Sequence, residues 1–249
     1  MTSKVGPVFL FTDFGASGPY LGQMEAAVLG VLPDARVVAL LSDAPVARPR
    51  PSAYLLKALL AYLPTAGGVV AVVDPGVGTE RRALGVLAEG RWLVGPDNGL
   101  LAPAVKAAPG AQVWCLDWVP DSVSVSFHGR DLFAPACARL LAGMDVARTP
   151  LAESQMQGWD WPNQLAEIIY IDHYGNAFTG MVADAVTERT RLHCRGRDLT
   201  HARVFGEAAP GQAFWYVNSC GLVEIAVNGG SAAEALGLSI GDAVVRYPG

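Results

Sequence analysis

Residues 69–73 read Val-Val-Ala-Val-Val and then stop at Asp74-Pro75-Gly76, and this run constrains the fold more than any other feature. A strand with no polar face must be covered on both sides, as in the interior of a parallel sheet with helices on its two faces. The surrounding text fits such a sheet. Residues 8–12 form a compact apolar strand ending at Asp13, and residues 20–32 have helical spacing up to Pro33. A strand over 36–41, a helix over 53–63, strands over 83–88, 92–94 and 112–116 and a helix over 131–141 follow. This is an α/β pattern: a mostly parallel sheet flanked by helices.

After residue 145 the pattern changes. Pro150, Pro162 and the aperiodic Gly158-Trp159-Asp160-Trp161 predict a linker over 146–164. Beyond it, short strand-like runs at 168–171, 189–194, 214–217, 223–227 and 243–246 alternate with Gly, Asn and Asp turns. The expectation is an N-terminal α/β domain over 1–145 and a smaller, mainly β domain over 165–249.

Composition narrows the classes. The chain has 249 residues, 51% hydrophobic and 16% charged, which excludes a disordered or coiled-coil chain. No apolar run approaches the ~18 residues that cross a bilayer, and residues 1–7 show neither an apolar leader core nor a cleavage pattern. A cytoplasmic protein without a membrane partner is expected. The net charge of −5, with scattered basic residues, argues against a nucleic-acid partner. Cys115, Cys137, Cys194 and Cys220 have no metal-binding spacing and read as structural thiols. No metal is expected.

Ligands of open parallel sheets gather where strands end in polar loops. Asp13 and Asp74 both stand at such ends. Alone, each is as readily a turn-former as a ligand-binding group; together, on the first and third strands, they favour the functional reading. Arg81, seven residues on, can fold back to Asp74, while Arg82 reads as a surface charge. In the segment 124–136, His128 stands between Phe127 and Gly129 where a strand-like stretch becomes helical. A lone histidine is more often structural, but Gly129 and the polar Arg130-Asp131 pair shift the weight toward function. His193 and His201 read as solvated surface positions. Asp172, Tyr174 and Asn176 share one turn, and Ser219 and Asn228 flank a late strand. An aromatic ring beside an amide suits a flat heterocycle, yet spacing alone favours an ordinary hairpin turn here.

Six segments then occur together: TDFG, VVDPGVGT with its following arginines, PDNGLL, the FHGRD-FAPA stretch, the D-H-Y-G-N turn and a late S-C-G-L-V-E-I-A-V-N-G-G-S-A. From about Phe9 to the C-terminus, their order and spacing resemble the S-adenosyl-L-methionine hydroxide adenosyltransferases, relatives of the fluorinating and chlorinating enzymes that use the same substrate. The resemblance implies hydrolysis of S-adenosyl-L-methionine to adenosine and methionine without metal or organic cofactor. It implies a homotrimer with sites between the N-terminal domain of one subunit and the C-terminal domain of the next. By resemblance, Asp74, Arg81 and His128 hold the attacking water; the near-neutral pKa of an ordinary histidine makes His128 the expected proton acceptor. Asp13 grips the ribose, Phe127 walls the reacting centre, and Tyr174, Asn176 and Asn228 meet the adenine. Asp172 and Ser219 lie near the methionine moiety. Gly129 stands where the fluorinating enzyme has a halide-binding serine, which argues for water. Two departures bear on the methionine and ribose side: Gly18 replaces a common Asp, and Ser42-Asp43-Ala44-Pro45 with the R-P-R-P run to Pro51 replaces a T-H-x-V-x-P stretch. The competing readings are a 5′-halogenase and a protein that binds S-adenosyl-L-methionine or adenosine without turnover.

Overall fold

The computed structural model describes residues 6–247, so the reading of residues 1–7 as leaderless falls largely outside it. The chain divides into two compact units, one running to Lys57 and resuming at Leu63–Trp161, the other comprising Ala58–Tyr62 and the chain from Pro162 onward.

The first unit is built on a seven-stranded sheet. Its strands are β1 (Val8–Thr12), β2 (Val37–Leu41), β3 (Gly67–Val72), β4 (Ala83–Ala88), β5 (Arg91–Pro96), β6 (Gln112–Leu116) and β7 (Arg148–Pro150), in the order β2-β1-β3-β5-β4-β6-β7. The pairs β1–β2, β1–β3 and β3–β5 are parallel; β4 turns back against β5, and β6 and β7 continue antiparallel. The helices are α1 (Tyr20–Leu29), α2 (Pro49–Leu60), α3 (Ala102–Lys106) and α4 (Ala134–Leu141). Every residue of β3 is buried, as its unbroken apolar text requires. Close packing also explains its glycines: a Cβ on Gly68 would sit 2.5 Å from the Cys137 sulfur of α4. Met24 and Val28 of α1 and Phe133, Ala136 and Cys137 close the same core.

The arrangement of the first three strands positions the site. The chain leaves β1, passes to β2 on one side, and returns to β3 on the other. The crevice beyond the carboxyl ends of β1 and β3 is therefore a topological switch point. Thr12 and Val72 are register partners there, so Asp13 and Asp74 emerge side by side.

Several elements differ from the sequence expectation. Helix α2 begins at Pro49 rather than at the expected 53, because prolines in a first helical turn sacrifice no hydrogen bond, and it ends at Leu60 rather than 63. The expected helix over 131–141 is a π-helical turn, Gly129–Phe133, continued by α4. Residues 148–150, within the expected linker, add edge strand β7.

The second unit has a four-stranded antiparallel sheet, formed by β8 (Leu165–Ile171), β9 (Ala177–Val182), β12 (Ala213–Val217) and β13 (Leu222–Val227), in the order β12-β13-β9-β8. A three-stranded sheet combines β10 (Arg191–Cys194), β11 (Arg197–Leu199) and β14 (Val245–Tyr247). A short helix α5 (Ala232–Leu236) is capped by the Ser231 hydroxyl, which accepts the Glu234 N–H at 3.1 Å. His201 is not a solvated side chain: its ring lies 4.6 Å from that of buried Trp215. His193 pairs with Asp198 at 2.7 Å. Cys137 and Cys194 are buried, and burial pushes their thiols up to about 12 and about 11. Among the described residues no helix is long and apolar enough to cross a membrane.

Candidate functional site

A cavity of about 390 Å³ in the first unit is lined by Asp13, Phe14, Asp74, Phe127, His128 and Gly129, among others. Arg81 organises its polar side. Its Nε donates to Asp74 Oδ1 at 2.8 Å and Oδ2 at 2.9 Å, and its Nη2 also donates to Oδ2. The same Nη2 stands 3.0 Å from His128 Nδ1. A guanidinium only donates, so Nδ1 is the acceptor and the neutral ring carries its proton on Nε2. Burial and then the Arg81 charge pull the His128 pKa down, which favours that neutral ring. Both partners of the ion pair are nearly covered, and Phe133 lies beneath the guanidinium at 5.0 Å.

Local sequence accounts for this geometry. Gly78 has φ +79 and passes so close to the chain that a Cβ would lie 2.6 Å from the Val125 carbonyl. The DPGVGT loop and the segment before His128 therefore pack backbone to backbone. Asp131 accepts the Ser124 N–H at 2.8 Å, and Arg130 holds Asp131 at 2.5 Å while donating to Gln23 at 2.7 Å. The RD pair thus clamps the loop that presents Phe127 and His128. Phe14, Tyr20 and Phe127 form an aromatic wall, their ring centroids 5.4–5.8 Å apart. A Cβ at Gly129 would meet Met24, Phe127 and Phe14 at 3.3–3.4 Å, an apolar surround.

Asp13 is held by the Ala47 N–H, 2.8 Å from Oδ2. Ala47 itself adopts φ 54, an uncommon conformation for a residue with a side chain. The 42–52 segment that departs from the family pattern therefore supplies the donor for Asp13. Burial raises the Asp13 pKa, with neighbouring Asp74 adding to it. Gly18 has φ +108, and a Cβ there would meet nothing within 4 Å.

The second unit has its own cavity, of about 740 Å³, lined by Asp172, Tyr174, Asn176, Tyr216, Ser219 and Glu224, among others. The turn expected at 172–176 is present: Asp172 Oδ1 accepts the N–H groups of Tyr174 and Asn176, each at 2.9 Å. It leaves Tyr174 exposed and Asn176 buried. Gly175 allows the late G-S-A segment to pack there, since a Cβ would fall 2.1 Å from Ser231 Oγ. Asn228 stands apart from its expected companions: its side chain donates to the Ala208 carbonyl at 2.8 Å, and it is Val227, Gly229 and Gly230 that line the cavity.

Arg82 is a correction. Rather than a free surface charge, it binds buried Asp97 through Nε at 2.7 Å. Sequence reasoning missed Phe14, Tyr20, Tyr216, Asn218 and Glu224. Glu224 carried a legible signal, one acid inside the apolar run Leu222–Val227. Among the described residues no three His, Cys, Asp or Glu side chains are grouped as metal ligands would be.

Residues 8–149 match the SAM hydroxide adenosyltransferase N-terminal domain and residues 166–245 the C-terminal domain of that family. The chain is 37% identical over 252 residues to an "(R)-S-adenosyl-L-methionine hydrolase" of Salinispora arenicola, covering 93% of this chain and 94% of the relative. It is 38% identical over 260 residues to a Thermus thermophilus protein of the same name, covering 94% and 97%. Among solved structures, an uncharacterized conserved protein from Thermotoga maritima superposes with a TM-score of 0.85 at 25% identity, covering 96% of this chain and all of that one.

Proposed function

The chain belongs to the SAM hydroxide adenosyltransferase family, and from that membership we propose that it hydrolyses S-adenosyl-L-methionine at C5′ to adenosine and L-methionine. The relatives' names specify the (R) configuration, and we carry that epimer to this chain as its substrate. The observation that carries the mechanism is Arg81 bridging Asp74 and His128 at the switch point.

The water oxygen attacks C5′ in line with the C5′–S bond, whose electron pair leaves with sulfur. The sulfonium becomes a neutral thioether, so the leaving group needs no acid. The site has to hold and orient one water about 3 Å from C5′, and to accept its proton. With Nδ1 taken by Arg81, His128 offers Nε2–H to the water oxygen. That reverses the proton-accepting role expected of it from an ordinary histidine's pKa, and Asp74 is then the acceptor. Arg81 orients both groups and disperses the charge Asp74 carries. Asp13 takes the ribose hydroxyls, and the Phe14–Tyr20–Phe127 wall excludes bulk water from the reacting centre. Tyr174 and Asn176 meet the adenine, with Asp172 and Ser219 at the methionine end; Asn228, whose side chain is held by the Ala208 carbonyl, keeps only its backbone neighbours at that cavity.

The two cavities lie in different units and each holds part of this set, which supports a homotrimer in which one subunit's first unit works with the next subunit's second unit. No organic cofactor or metal enters the scheme, and we assign neither a nucleic-acid nor a membrane partner. Four free cysteines suit the cytoplasm, where thiols stay reduced.

The 5′-halogenase and non-catalytic alternatives are not favoured, since full-length relatives are named hydrolases. Gly129 itself offers no hydroxyl to a halide. Turnover in heavy-oxygen water tests the chemistry. The label should enter the adenosine 5′-hydroxyl; product without label, or a 5′-halide formed in chloride, would refute it.

A further inference from the structure

Among the described residues, the acidic residues buried as a whole are Asp97 and Glu224, while the covered Asp74 side chain is paired with Arg81. Asp97 is neutralised by Arg82. Glu224 is 1% exposed, and its recorded partners are both neutral: Tyr216 Oη donates to Oε1 at 2.6 Å and Asn218 Nδ2 donates to Oε2 at 2.8 Å. A carboxylate under cover with only neutral donors is expensive, and replacing it by an apolar residue would ordinarily stabilise a strand such as β13. Val223 and Ile225 on either side show how apolar that strand otherwise is. Glu224 nevertheless stands in the wall of the 740 Å³ cavity, and among the described residues its hydrogen-bond partners carry no positive charge.

The second carboxylate of that cavity, Asp172, is held by its own turn rather than by the segment that presents Ser219. Asp172 Oδ1 accepts two backbone N–H groups of its own turn, and Oδ2 faces Asn176 Nδ2 at 3.3 Å. Glu224 is instead connected to the turn that presents Ser219. Asn218, whose amide it holds, uses its own Oδ1 to accept the N–H groups of Cys220 at 2.9 Å and Leu222 at 3.0 Å. Burial raises the Glu224 pKa and the neighbouring Asp172 charge adds to it, against which the bonds from Tyr216 and Asn218 favour the ionised form.

We propose that Glu224 is a specificity-determining positioning residue: acting through Asn218 and Tyr216, its charge makes this cavity select the cationic amino-acid end of the substrate. The proposal rests on the hydrolase reading. The ammonium group of the substrate is attracted by this negative charge relayed through Asn218 and Tyr216, and adenosine, which is uncharged, gains nothing from it.

Glu224→Gln keeps the size of the side chain and removes the charge. We expect KM to rise about tenfold with kcat within about threefold, the scale of one charge-assisted hydrogen bond. Product inhibition by methionine should weaken in parallel while inhibition by adenosine stays unchanged. Tyr216→Phe, which removes a neutral donor and leaves the charge, should preserve the ratio of the two inhibition constants. An unchanged KM in Glu224→Gln overturns the proposal, as does equal weakening toward methionine and adenosine, which would mean the residue only shapes the pocket. Should Glu224→Gln fail to fold, calorimetry on the wild-type protein decides the matter with two fragments of methionine. The decarboxylated amine should bind better than the desamino acid, and the reverse order overturns the proposal. A wild-type protein that forms no products while still preferring the amine would refute the hydrolase reading alone.

Discussion

Arg81 meets Asp74 through Nε and Nη2 and reaches His128 through Nη2, so one guanidinium sets the orientation of both groups. Truncating either partner should remove most catalysis and leave binding. We expect Asp74→Ala and His128→Ala each to lose at least about 10²-fold in kcat with KM little changed, measured by initial rates. Unaltered rates in both would remove the trio from the mechanism. Arg81→Lys should fare nearly as badly, because an ammonium cannot reproduce the fork. The pH profile follows from His128. Its pKa is lowered, so the ring stays neutral as pH falls past the ordinary histidine value of about 6.5. Only below that does protonation put a hydrogen on Nδ1 against Arg81 Nη2. The acid limb of kcat should therefore fall below pH 6.5, and a limb centred above it would contradict the assignment. The places of Asp13 and Asp74 beyond apolar strands were legible from the runs that precede them, whereas the strand-like stretch expected before His128 is not a strand: His128 stands at the start of the Gly129–Phe133 turn. The proton's place on Nε2 was not legible, since it depends on a contact forty-seven residues away in sequence.

At the scale of elements, the two motif loops act as one body because Gly78 lets them touch. Gly78→Ala would add both a strained φ and a clash with the Val125 carbonyl. We expect a stability loss of about 1–3 kcal/mol by denaturant titration, together with a fall in kcat as the His128 loop is displaced. Loss of neither would show that the loops are independent. Strands β4 and β6 were readable to the residue because apolar text and turn signals agree at their ends. The start of α2 was not, since Pro49 and Pro51 break a helix interior but fit a first turn. α3 and α5, at five residues each, are too short for a helical period to register and depend on tertiary packing.

For the whole molecule, the two cavities make a prediction that neither unit makes alone. If a working site combines one subunit's first unit with its neighbour's second unit, His128→Ala and Tyr174→Ala chains co-expressed in one cell should regain activity. Random mixing would restore about a quarter of wild-type sites, counting each site as one half from each of two subunits. Tagged co-purification with no recovery would contradict shared sites. The central claim is tested most directly by incubating metal-free protein with the (R) epimer of S-adenosyl-L-methionine and following adenosine and methionine by chromatography beside a His128→Ala control. We expect equal amounts of both products from the wild type and almost none from the variant. Substrate that binds and remains intact, or adenosine that binds with no methionine released, would contradict it.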